Sequence, residues 1–306
     1  MEADLLVILG PTASGKTQLA CHLALELGGE IISADSRQLY RHMDIGTGKD
    51  LDEYEIDGVQ IPYHLIDIHD PGYRYNIAEF QLDFLNCYED IRKRGKLPVL
   101  CGGSGLYIQT ALSGNSFMGI PEDKELRQQA ESWSREELEE KYGLIDEEIR
   151  TVIPGDTSRR LVRALEIDQY LKANPNFESR TIPEINYKIV GVEVDRETRR
   201  NRITTRLKTR LDEGLIEEVK YLLDNFLTPD DLEYYGLEYK WVGQYLNGEM
   251  DKEQMFEKLN VSIHQFAKRQ MTWFRRMEKQ GYDIHWVGAE MEMERKVGSI
   301  VDYLNY

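Results

Sequence analysis

The segment from Gly10 to Thr17 constrains the fold of this chain more than any other feature. It reads Gly-Pro-Thr-Ala-Ser-Gly-Lys-Thr and matches the phosphate-loop pattern GxxxxGK(S/T) at every position. The apolar run Leu5–Leu9 precedes it, and a helical pattern over Lys16–Leu27 follows it. In this strand–loop–helix context, backbone N–H groups and the helix N-terminus bind an anion. The loop is therefore predicted to bind a di- or triphosphate.

Each residue of this loop is a candidate for contact with the phosphates. The eight candidates are Gly10, Pro11, Thr12, Ala13, Ser14, Gly15, Lys16 and Thr17. Lys16 is expected to reach the outer phosphate, and the Thr17 hydroxyl is expected to ligate Mg²⁺ directly or through water. The apolar run Leu97–Cys101 ends at Gly102-Gly103 without the Mg²⁺-binding acid of a hydrolysing ATPase or GTPase, which disfavours a nucleotide-driven motor or switch.

Strand and helix patterns alternate along the first hundred residues, which predicts a parallel sheet covered by helices. The predicted strands are Leu5–Leu9, Glu30–Asp35 and Leu97–Cys101, and helices are predicted over Lys16–Leu27 and Ala78–Arg94. Residues 123–150 carry ten acids and five bases with few large apolar residues, so they are predicted to form exposed helices. The simplest organisation is an α/β core interrupted by a helical insertion.

The second half of the chain gives fewer but clear signals. Asp156 is predicted to cap a helix over Ser158–Lys172, and Tyr187–Val194 has the alternation of a strand. Asp195 is predicted to cap a long basic helix that ends near Gly214. The remainder is predicted to be helical, with one strand at Tyr282–Val287.

Charge and composition limit the classes of partner and compartment. The net charge of −17 argues against a polyanion partner, yet residues 196–210 carry seven bases and one acid. This basic helix fits either a solvated face or a phosphate-binding one. No apolar run approaches the roughly 20 residues of a membrane span, so no membrane association is expected. Three cysteines without a CxxC pair and the absence of a signal-peptide pattern indicate the cytoplasm.

Asp35 follows the second predicted strand, at the sheet edge where doubly wound folds bind ligands. A carboxylate there can accept a hydrogen bond from an acceptor N–H or O–H and take its proton. The alternative is a structural Asp in a turn or at a helix N-terminus. Arg37 and Gln38 are candidates for hydrogen bonds to a base or a phosphate.

Several blocks of the sequence together resemble the tRNA dimethylallyltransferase (tRNA isopentenyltransferase) family of bacterial type. The blocks are residues 10–17, Asp-Ser-Arg-Gln-Leu-Tyr at 35–40, Met-Asp-Ile-Gly-Thr-Gly-Lys at 43–49, His-Leu-Ile-Asp at 64–67, Gly-Gly-Ser-Gly-Leu-Tyr at 102–107, Arg-Ala-Leu-Glu at 163–166, Gly-Leu at 214–215 with Glu-Val at 218–219, Ala-Lys-Arg-Gln at 267–270 and Thr-Trp-Phe-Arg at 272–275. They run in order along nearly the whole chain.

The resemblance implies an α/β fold with a P-loop kinase-like parallel sheet core and a helical insertion domain. It implies a core in residues 1–122, a tRNA-contacting insertion in residues 123–186, and core completion with C-terminal helices in residues 187–306. The implied reaction moves a dimethylallyl group from dimethylallyl pyrophosphate to the N6 amine of the adenosine 3′-adjacent to the anticodon of tRNA, with Mg²⁺ as cofactor. The partner is then the anticodon stem-loop, and we expect a monomer.

The resemblance also assigns expected roles to individual residues. The residues expected to take part in catalysis are Lys16, Thr17, Asp35, Ser104 and Arg206, with Asp35 as general base on the adenine amine. The residues expected to contact tRNA are Asp35, Ser36, Arg37, Gln38, Ser104, Arg127, Arg159, Arg160, Leu161, Val162, Arg163, Lys268 and Arg269. At 236–239 the chain reads Gly-Leu-Glu-Tyr where the family often has Gly-Tyr-Lys/Arg-Glu/Gln, so no role is carried over to that segment.

Two other functions fit part of the sequence. A nucleotide or small-molecule kinase would use the same loop for ATP, and a non-catalytic RNA-binding regulator would need no general base. His64, Asp67, His69 and Asp70 invite a metal-site hypothesis, but a turn follows them, and Asp67 is expected instead to order a loop. Phe266 and Trp273 lie seven residues apart on one predicted helix and are expected to pack in the core.

Overall fold

The computed structural model describes residues 3–113, 117, 119–178 and 183–305. Two compact units are present, one formed by Met1–Ser113 with Glu184–Tyr306 and the other by Gly114–Pro183. The sequence placed the insertion at residues 123–186, so the compact unit begins nine residues earlier and ends three earlier. The early start has a packing reason, because Phe117 and Ile120 are buried in the core of the second unit.

A six-stranded parallel sheet forms the centre of the first unit. In spatial order its strands are β5 (Tyr63–His64), β2 (Gly29–Ser33), β6 (Leu97–Gly102), β1 (Leu5–Leu9), β7 (Tyr187–Glu193) and β8 (Ile284–Gly288). β3 (Glu55–Ile56) and β4 (Val59–Gln60) form a separate antiparallel pair. All five residues of β1 are buried, as expected of a strand covered on both faces. The predicted α/β parallel-sheet core is confirmed.

Thirteen α-helices occur in the described ranges. They are α1 (Lys16–Leu27), α2 (Ile77–Lys93), α3 (Gly105–Ser113), α4 (Lys124–Ala130), α5 (Arg135–Gly143), α6 (Glu147–Val152), α7 (Ser158–Ala173), α8 (Arg196–Asp212), α9 (Leu215–Asn225), α10 (Leu232–Tyr235), α11 (Leu237–Leu246), α12 (Lys252–Lys279) and α13 (Met293–Asn305), with 3-10 turns at Leu51–Tyr54 and Pro229–Asp231. None of them is long and apolar enough to cross a bilayer.

Local sequence explains where these helices begin. Asn76 caps α2 by accepting the N–H groups of Ala78 and Glu79, while the Glu79 carboxylate accepts the Asn76 N–H. Asp195 caps α8, as predicted. The prediction for α7 is wrong in detail, because the Thr157 hydroxyl caps this helix. Asp156 instead forms an ion pair with Arg160 at 2.5 Å, one turn into the helix.

The second unit contains α4 to α7 around its own small core. Leu126, Leu138, Ile149 and Leu161 are among the residues buried there. The acids of this unit lie mainly on exposed helix surfaces, as the composition of residues 123–150 predicted. The three cysteines of the chain, all in the first unit, are free thiols.

Candidate active site

A cavity of about 620 Å³, called here the central cavity, lies at the carboxyl edge of the parallel sheet. Its walls come from the segments that follow β1, β2 and β6 and from residues of α8, α11 and α12. All five residues predicted to be catalytic line it: Lys16, Thr17, Asp35, Ser104 and Arg206. The sheet edge therefore brings together side chains that are up to 190 residues apart in sequence (206 − 16), as expected for ligand sites of doubly wound folds.

The phosphate loop has the backbone of an anion cradle. Ala13 and Gly15 have φ angles of 61° and 81°, in the left-handed region that lets successive N–H groups turn inward. Gly10 lies so close to Ser14 that a Cβ would come within 2.7 Å of the serine Oγ. The N–H of Thr12 donates to Gln270 Oε1 at 2.9 Å. The sharp turn at Gly10–Gly15 therefore depends on the absence of side chains at its ends.

Gln270 is a site residue that sequence reasoning missed. It is buried on α12, accepts the Thr12 N–H, and donates from Nε2 to the Gly103 carbonyl at 3.0 Å. One side chain thus joins the loop after β1 to the loop after β6. The sequence analysis singled out residues 267–270 for their basic side chains. A neutral amide that binds only backbone groups produces no charge or spacing pattern by which Gln270 could be recognised.

Three cationic side chains converge on one end of the central cavity: Lys16, Arg206 and Arg210. Burial lowers the pKa of Lys16, and burial together with the nearby Arg210 lowers the pKa of Arg206 to about 9. Burial also lowers the pKa of Arg210. Arg206 pairs with Asp50, and Arg210 lies 3.8 Å from the same carboxylate. The Glu238 carboxyl also lies near both arginines and favours their charged forms. With Lys16 beside them, the three cations form a site suited to an anion. Arg210 was not singled out from the sequence.

Asp35 makes the hydrogen bond of a turn residue and also lines the central cavity, and its role as a general base stays a prediction. Its Oδ1 accepts the Arg37 N–H at 2.9 Å, which is the hydrogen bond of a turn residue. Its side chain is only partly buried and lines the central cavity. Within the described residues, Oδ2 has no hydrogen-bond partner, so one carboxylate oxygen is available to a ligand.

The cavity residues predicted to contact tRNA differ in what their side chains already bind. Ser36, Arg37, Gln38, Ser104 and Arg269 line the central cavity, whereas Lys268 is exposed outside it. Gln38 accepts from Ser33 Oγ at 2.9 Å and donates to the Gly48 carbonyl at 3.0 Å. Its amide therefore supports a neighbouring loop. The Arg37 guanidinium lies 5.0 Å from the centre of the Tyr234 ring.

The predicted tRNA-contact residues of the second unit also separate into two groups. Arg127 and Arg163 both pair with Glu166, whose side chain is fully buried. The Leu161 side chain is fully buried as well, which leaves only its backbone for contact with RNA, and its tRNA contact stays a prediction. Arg159 is exposed and Arg160 and Val162 are partly exposed. Helical spacing predicted that the arginines of α7 share a face. It did not predict which of them pair with buried residues of the second unit.

The prediction that Phe266 and Trp273 pack in the core is wrong. Both line the central cavity, and the Phe266 side chain is 39% exposed. Trp273 Nε1 donates to Gln109 Oε1 at 2.7 Å, and its ring covers Gly105, where a Cβ would clash with it. The fully buried aromatic residue of this helix is Phe274. The seven-residue spacing correctly put both rings on one face, but that face looks into a cavity.

Phe274→Ala is expected to lower the free energy of unfolding by about 3–5 kcal/mol, because it opens a void in a packed core. The matched variant Phe266→Ala, on the same helix, is expected to lower it by less than about 1.5 kcal/mol, since the ring already faces open space. Urea denaturation of both variants measures the difference. Equal losses would contradict the assignment of Phe266 to the cavity wall.

The hypothesis of a metal site at residues 64–70 finds no support. Within the described residues, no cluster of three or more His, Cys, Asp or Glu side chains could hold a metal ion. Asp67 accepts a hydrogen bond from the buried Lys49, and His64 pairs with Glu30 at 2.8 Å. Asp67 therefore orders a loop beside the site, as expected.

The divergent segment at 236–239 lies in the site. Gly236, Leu237 and Glu238 line the central cavity, and Tyr239 is buried behind it. Burial raises the pKa of the Glu238 carboxyl, while Arg210 acts in the opposite direction. The sequence could not assign these positions, because the family pattern fails there.

Comparisons with known proteins agree along the chain. The family model described as IPP transferase matches residues 38–277, and one described as isopentenyl transferase matches residues 3–64. A relative from Bacteroides fragilis, tRNA dimethylallyltransferase 2, is 54% identical over 297 residues, covering 97% of this chain and 96% of that protein. A tRNA dimethylallyltransferase 1 from Parabacteroides distasonis is 50% identical over 305 residues, covering 99% and 98%.

Solved structures give the same picture. The tRNA isopentenylpyrophosphate transferase of Bacillus halodurans is similar with a TM-score of 0.72 and 33% identity, covering 99% of this chain and 96% of that one. A eukaryotic dimethylallyltransferase that acts on tRNA has a TM-score of 0.80 at 24% identity, covering 98% and 79%, and supports the fold alone.

Proposed function

This chain belongs to the IPP transferase family, and from that premise we propose how its central cavity works. The chain transfers a dimethylallyl group from dimethylallyl pyrophosphate to the N6 amine of the adenosine 3′-adjacent to the anticodon in tRNA, and it releases pyrophosphate. The residue assignments rest on one observation: Lys16, Arg206 and Arg210 line the same cavity as Asp35, whose Oδ1 alone is bonded to the turn. The reaction needs positive charge to stabilise the departing pyrophosphate and a group that accepts the proton from the adenine amine.

We propose that the pyrophosphate occupies the cationic end of the cavity. The backbone N–H groups of Ala13–Thr17 and the side chains of Lys16, Arg206 and Arg210 would then hold it. As the C–O bond to the dimethylallyl group breaks, the electron pair and the growing negative charge go to the pyrophosphate oxygen. Cations fixed in a partly dry site stabilise that charge more than they stabilise the bound donor.

Asp35 serves as the general base in this scheme. The adenine N6 nitrogen forms the new bond to the allylic carbon, and the proton that it loses passes to the free carboxylate oxygen of Asp35. Because the adenine edge is hidden in a stacked anticodon loop, the base leaves the stack and enters the cavity. Ser104 and Arg37, on the cavity wall, are proposed to bind the flipped nucleotide.

Mg²⁺ is the proposed cofactor, and the residues present fit it. The Thr17 hydroxyl lines the cavity beside the phosphate loop, and the described residues contain no three-acid cage that would hold the ion alone. This arrangement suits Mg²⁺, which keeps waters and binds through substrate phosphates. When bound, the ion would add positive charge at the pyrophosphate.

The tRNA anticodon stem-loop is the proposed partner of the exposed cations. Arg159 on α7 and Lys268 on α12 present charge to solvent. Arg127 and Arg163 are proposed to act mainly through Glu166, by keeping the exposed surface of the second unit in place. We also propose a cytoplasmic location, since both substrates are water-soluble cytoplasmic molecules, and a monomeric state.

A direct assay tests the function. Undermodified tRNA is incubated with the protein, Mg²⁺ and dimethylallyl pyrophosphate, and its nucleosides are separated by mass. The expected product is an adenosine heavier by one dimethylallyl group at the position 3′ of the anticodon. Phosphate transfer from ATP to a small acceptor, with tRNA unchanged, would favour the kinase alternative and overturn the proposal.

Binding of tRNA is expected to depend steeply on salt, because phosphate contacts release counterions. With roughly six to ten contacts, the affinity falls by roughly 10³–10⁵ between 50 and 200 mM salt. Arg159→Gln is expected to reduce the slope of log affinity against log salt by about one. Lys93→Gln, which removes an exposed charge from α2, serves as the control. Filter binding across the salt range measures both slopes, and a flat response would contradict a phosphate-based interface.

A further inference from the structure

Glu218 on α9 has an unusual set of partners. Its Oε2 accepts the backbone N–H groups of Asp44 at 2.8 Å and Ile45 at 2.7 Å. Its Oε1 accepts the N–H of Gly46 at 2.9 Å and the hydroxyl of Tyr239 at 2.9 Å. One carboxylate thus receives three consecutive backbone donors and a phenol. The proposed chemical steps leave this residue without a role.

The segment that Glu218 binds, residues 43–50, is called here the 43–50 loop. Gly46, Thr47 and Gly48 line the central cavity. Gly48 has a φ of 62° and lies against Arg210, where a Cβ would clash with the guanidinium. Asp50, which ends the loop, pairs with Arg206 and lies 3.8 Å from Arg210. Arg206 and Arg210, at the cationic end of the cavity, therefore both contact this loop.

The loop has little regular structure to hold it. No described residue of the 43–50 loop belongs to a helix or strand. The N–H groups of Gly48 and Lys49 bond within the loop, to the carbonyls of Ile45 at 3.2 Å and Asp44 at 3.1 Å, whereas those of Asp44, Ile45 and Gly46 bond to Glu218. Asp50 has a φ of 44°, a conformation that costs energy in a residue other than glycine. External contacts therefore determine where Gly48 and Asp50 lie.

Two anchors, Lys49 and Glu218, supply those contacts together with the Gln38 amide, which donates to the Gly48 carbonyl at 3.0 Å. Lys49, fully buried, donates to the Tyr40 carbonyl at 2.7 Å, to Asp44 at 2.5 Å and to Asp67, which fixes the end of the loop. Glu218 fixes its beginning. Tyr239 strengthens this second anchor, since its ring covers Gly46 so closely that a Cβ there would come within 2.6 Å of it.

We propose that Glu218 is a positioning residue for the prenyl transfer. By fastening the 43–50 loop, it places Arg206 and Arg210 where they bind the pyrophosphate group. This inference rests on the proposed function for the identity of the anion. It also gives the divergent segment a use, because Tyr239 completes the hydrogen bonds of the Glu218 carboxylate.

Glu218→Gln is the most informative change. An amide keeps one acceptor oxygen but turns its NH₂ group toward backbone N–H donors, so the loop must shift. A displacement of about 1 Å at a positioned group costs about a hundredfold in rate, and we expect that loss in kcat/KM for dimethylallyl pyrophosphate. The KM for tRNA is expected to stay within about twofold. Tyr239→Phe removes one of four donors and is expected to have a smaller effect in the same direction.

Glu217→Gln is the matched control. It removes the same charge from the adjacent position of α9, but Glu217 is exposed and holds no part of the loop. Its kinetics are expected to equal those of the unmodified protein. If Glu218→Gln and Glu217→Gln behave alike, or if Glu218→Gln raises the KM for tRNA and leaves that for the donor, the inference is overturned.

Titration calorimetry with inorganic pyrophosphate separates this inference from the proposed function, because it needs neither tRNA nor turnover. We expect about tenfold weaker binding for Glu218→Gln and an unchanged value for Glu217→Gln. A protein that binds pyrophosphate in a Glu218-dependent way but does not prenylate tRNA would contradict the function and support the inference. Should Glu218→Gln fail to fold, as judged by circular dichroism, Tyr239→Phe decides: unchanged pyrophosphate binding overturns the inference.

Discussion

Asp35→Asn is expected to lower the rate of dimethylallyl transfer by about 10²–10⁴-fold, the range that a positioned general base contributes. Asn retains the Oδ1 acceptor that binds the Arg37 N–H, so the turn after β2 keeps its hydrogen bond. What is lost is the proton-accepting oxygen that faces the cavity. The affinity for tRNA is expected to change by less than about threefold, since no phosphate contact is removed.

Single-turnover kinetics and filter binding test the two expectations separately. Asp52→Asn is the control, because Asp52 is exposed in the 3-10 turn at Leu51–Tyr54 and lies outside the central cavity. A normal rate in Asp35→Asn would assign the residue to the turn alone. Absence of prenylation by the unmodified protein in nucleoside analysis, with tRNA binding kept, would instead favour the non-catalytic RNA-binding alternative.

Local patterns in the sequence predicted the parts of the site that depend on local structure. β1, the phosphate loop and α1 form one continuous segment, and the predicted bounds of both elements match those observed. Asp35 was placed correctly because the carboxyl ends of parallel strands share one edge of a sheet. Strand β5 was missed, since two residues are too few to show alternation.

The missed residues act over long separations in sequence. Gln270 binds the N–H of Thr12, 258 residues earlier, and Glu218 binds the N–H of Asp44, 174 residues earlier. The packing of whole helices decides which distant backbone groups the side chains of Gln270 and Glu218 bind. No spacing or composition rule contains that information. Arg210 was missed for a related reason, since seven bases on one helix look alike until their neighbours are known.

Periodicity has a similar limit. It correctly put Phe266 and Trp273 on one face of α12 and put Arg159, Arg160 and Arg163 on one side of α7. It could not say that the first face borders a cavity or that Arg163 turns to the buried Glu166. Tertiary packing decides what a helical face contacts. At a ligand cavity the apolar face of a helix borders empty space and not another element.

Lys16→Ala is expected to lower kcat/KM for dimethylallyl pyrophosphate by about 10²–10³-fold, the loss typical of removing one donor from a developing anion. It is also expected to remove most of the stabilisation by inorganic pyrophosphate, which at 100 times Kd adds about 2.7 kcal/mol to the unmodified protein. Thermal unfolding with and without pyrophosphate measures this. Lys93→Ala, an exposed lysine on α2, is the control and should keep the full shift.

The same cations predict how pyrophosphate binding depends on pH. Burial lowers the pKa of Lys16 and brings that of Arg206 to about 9, so above that pH the free site loses positive charge. A bound anion favours the protonated forms and raises both pKa values again. Binding should therefore be strongest below pH 9, weaken as the pH rises through about 9, and take up protons there. Calorimetry at pH 9 in two buffers of different ionisation enthalpy counts those protons. Pyrophosphate has its own proton equilibrium in this range, so the contribution of the protein is the difference in proton uptake between the unmodified protein and Arg206→Gln. Equal uptake by the two would show that Arg206 is fully charged before the anion arrives.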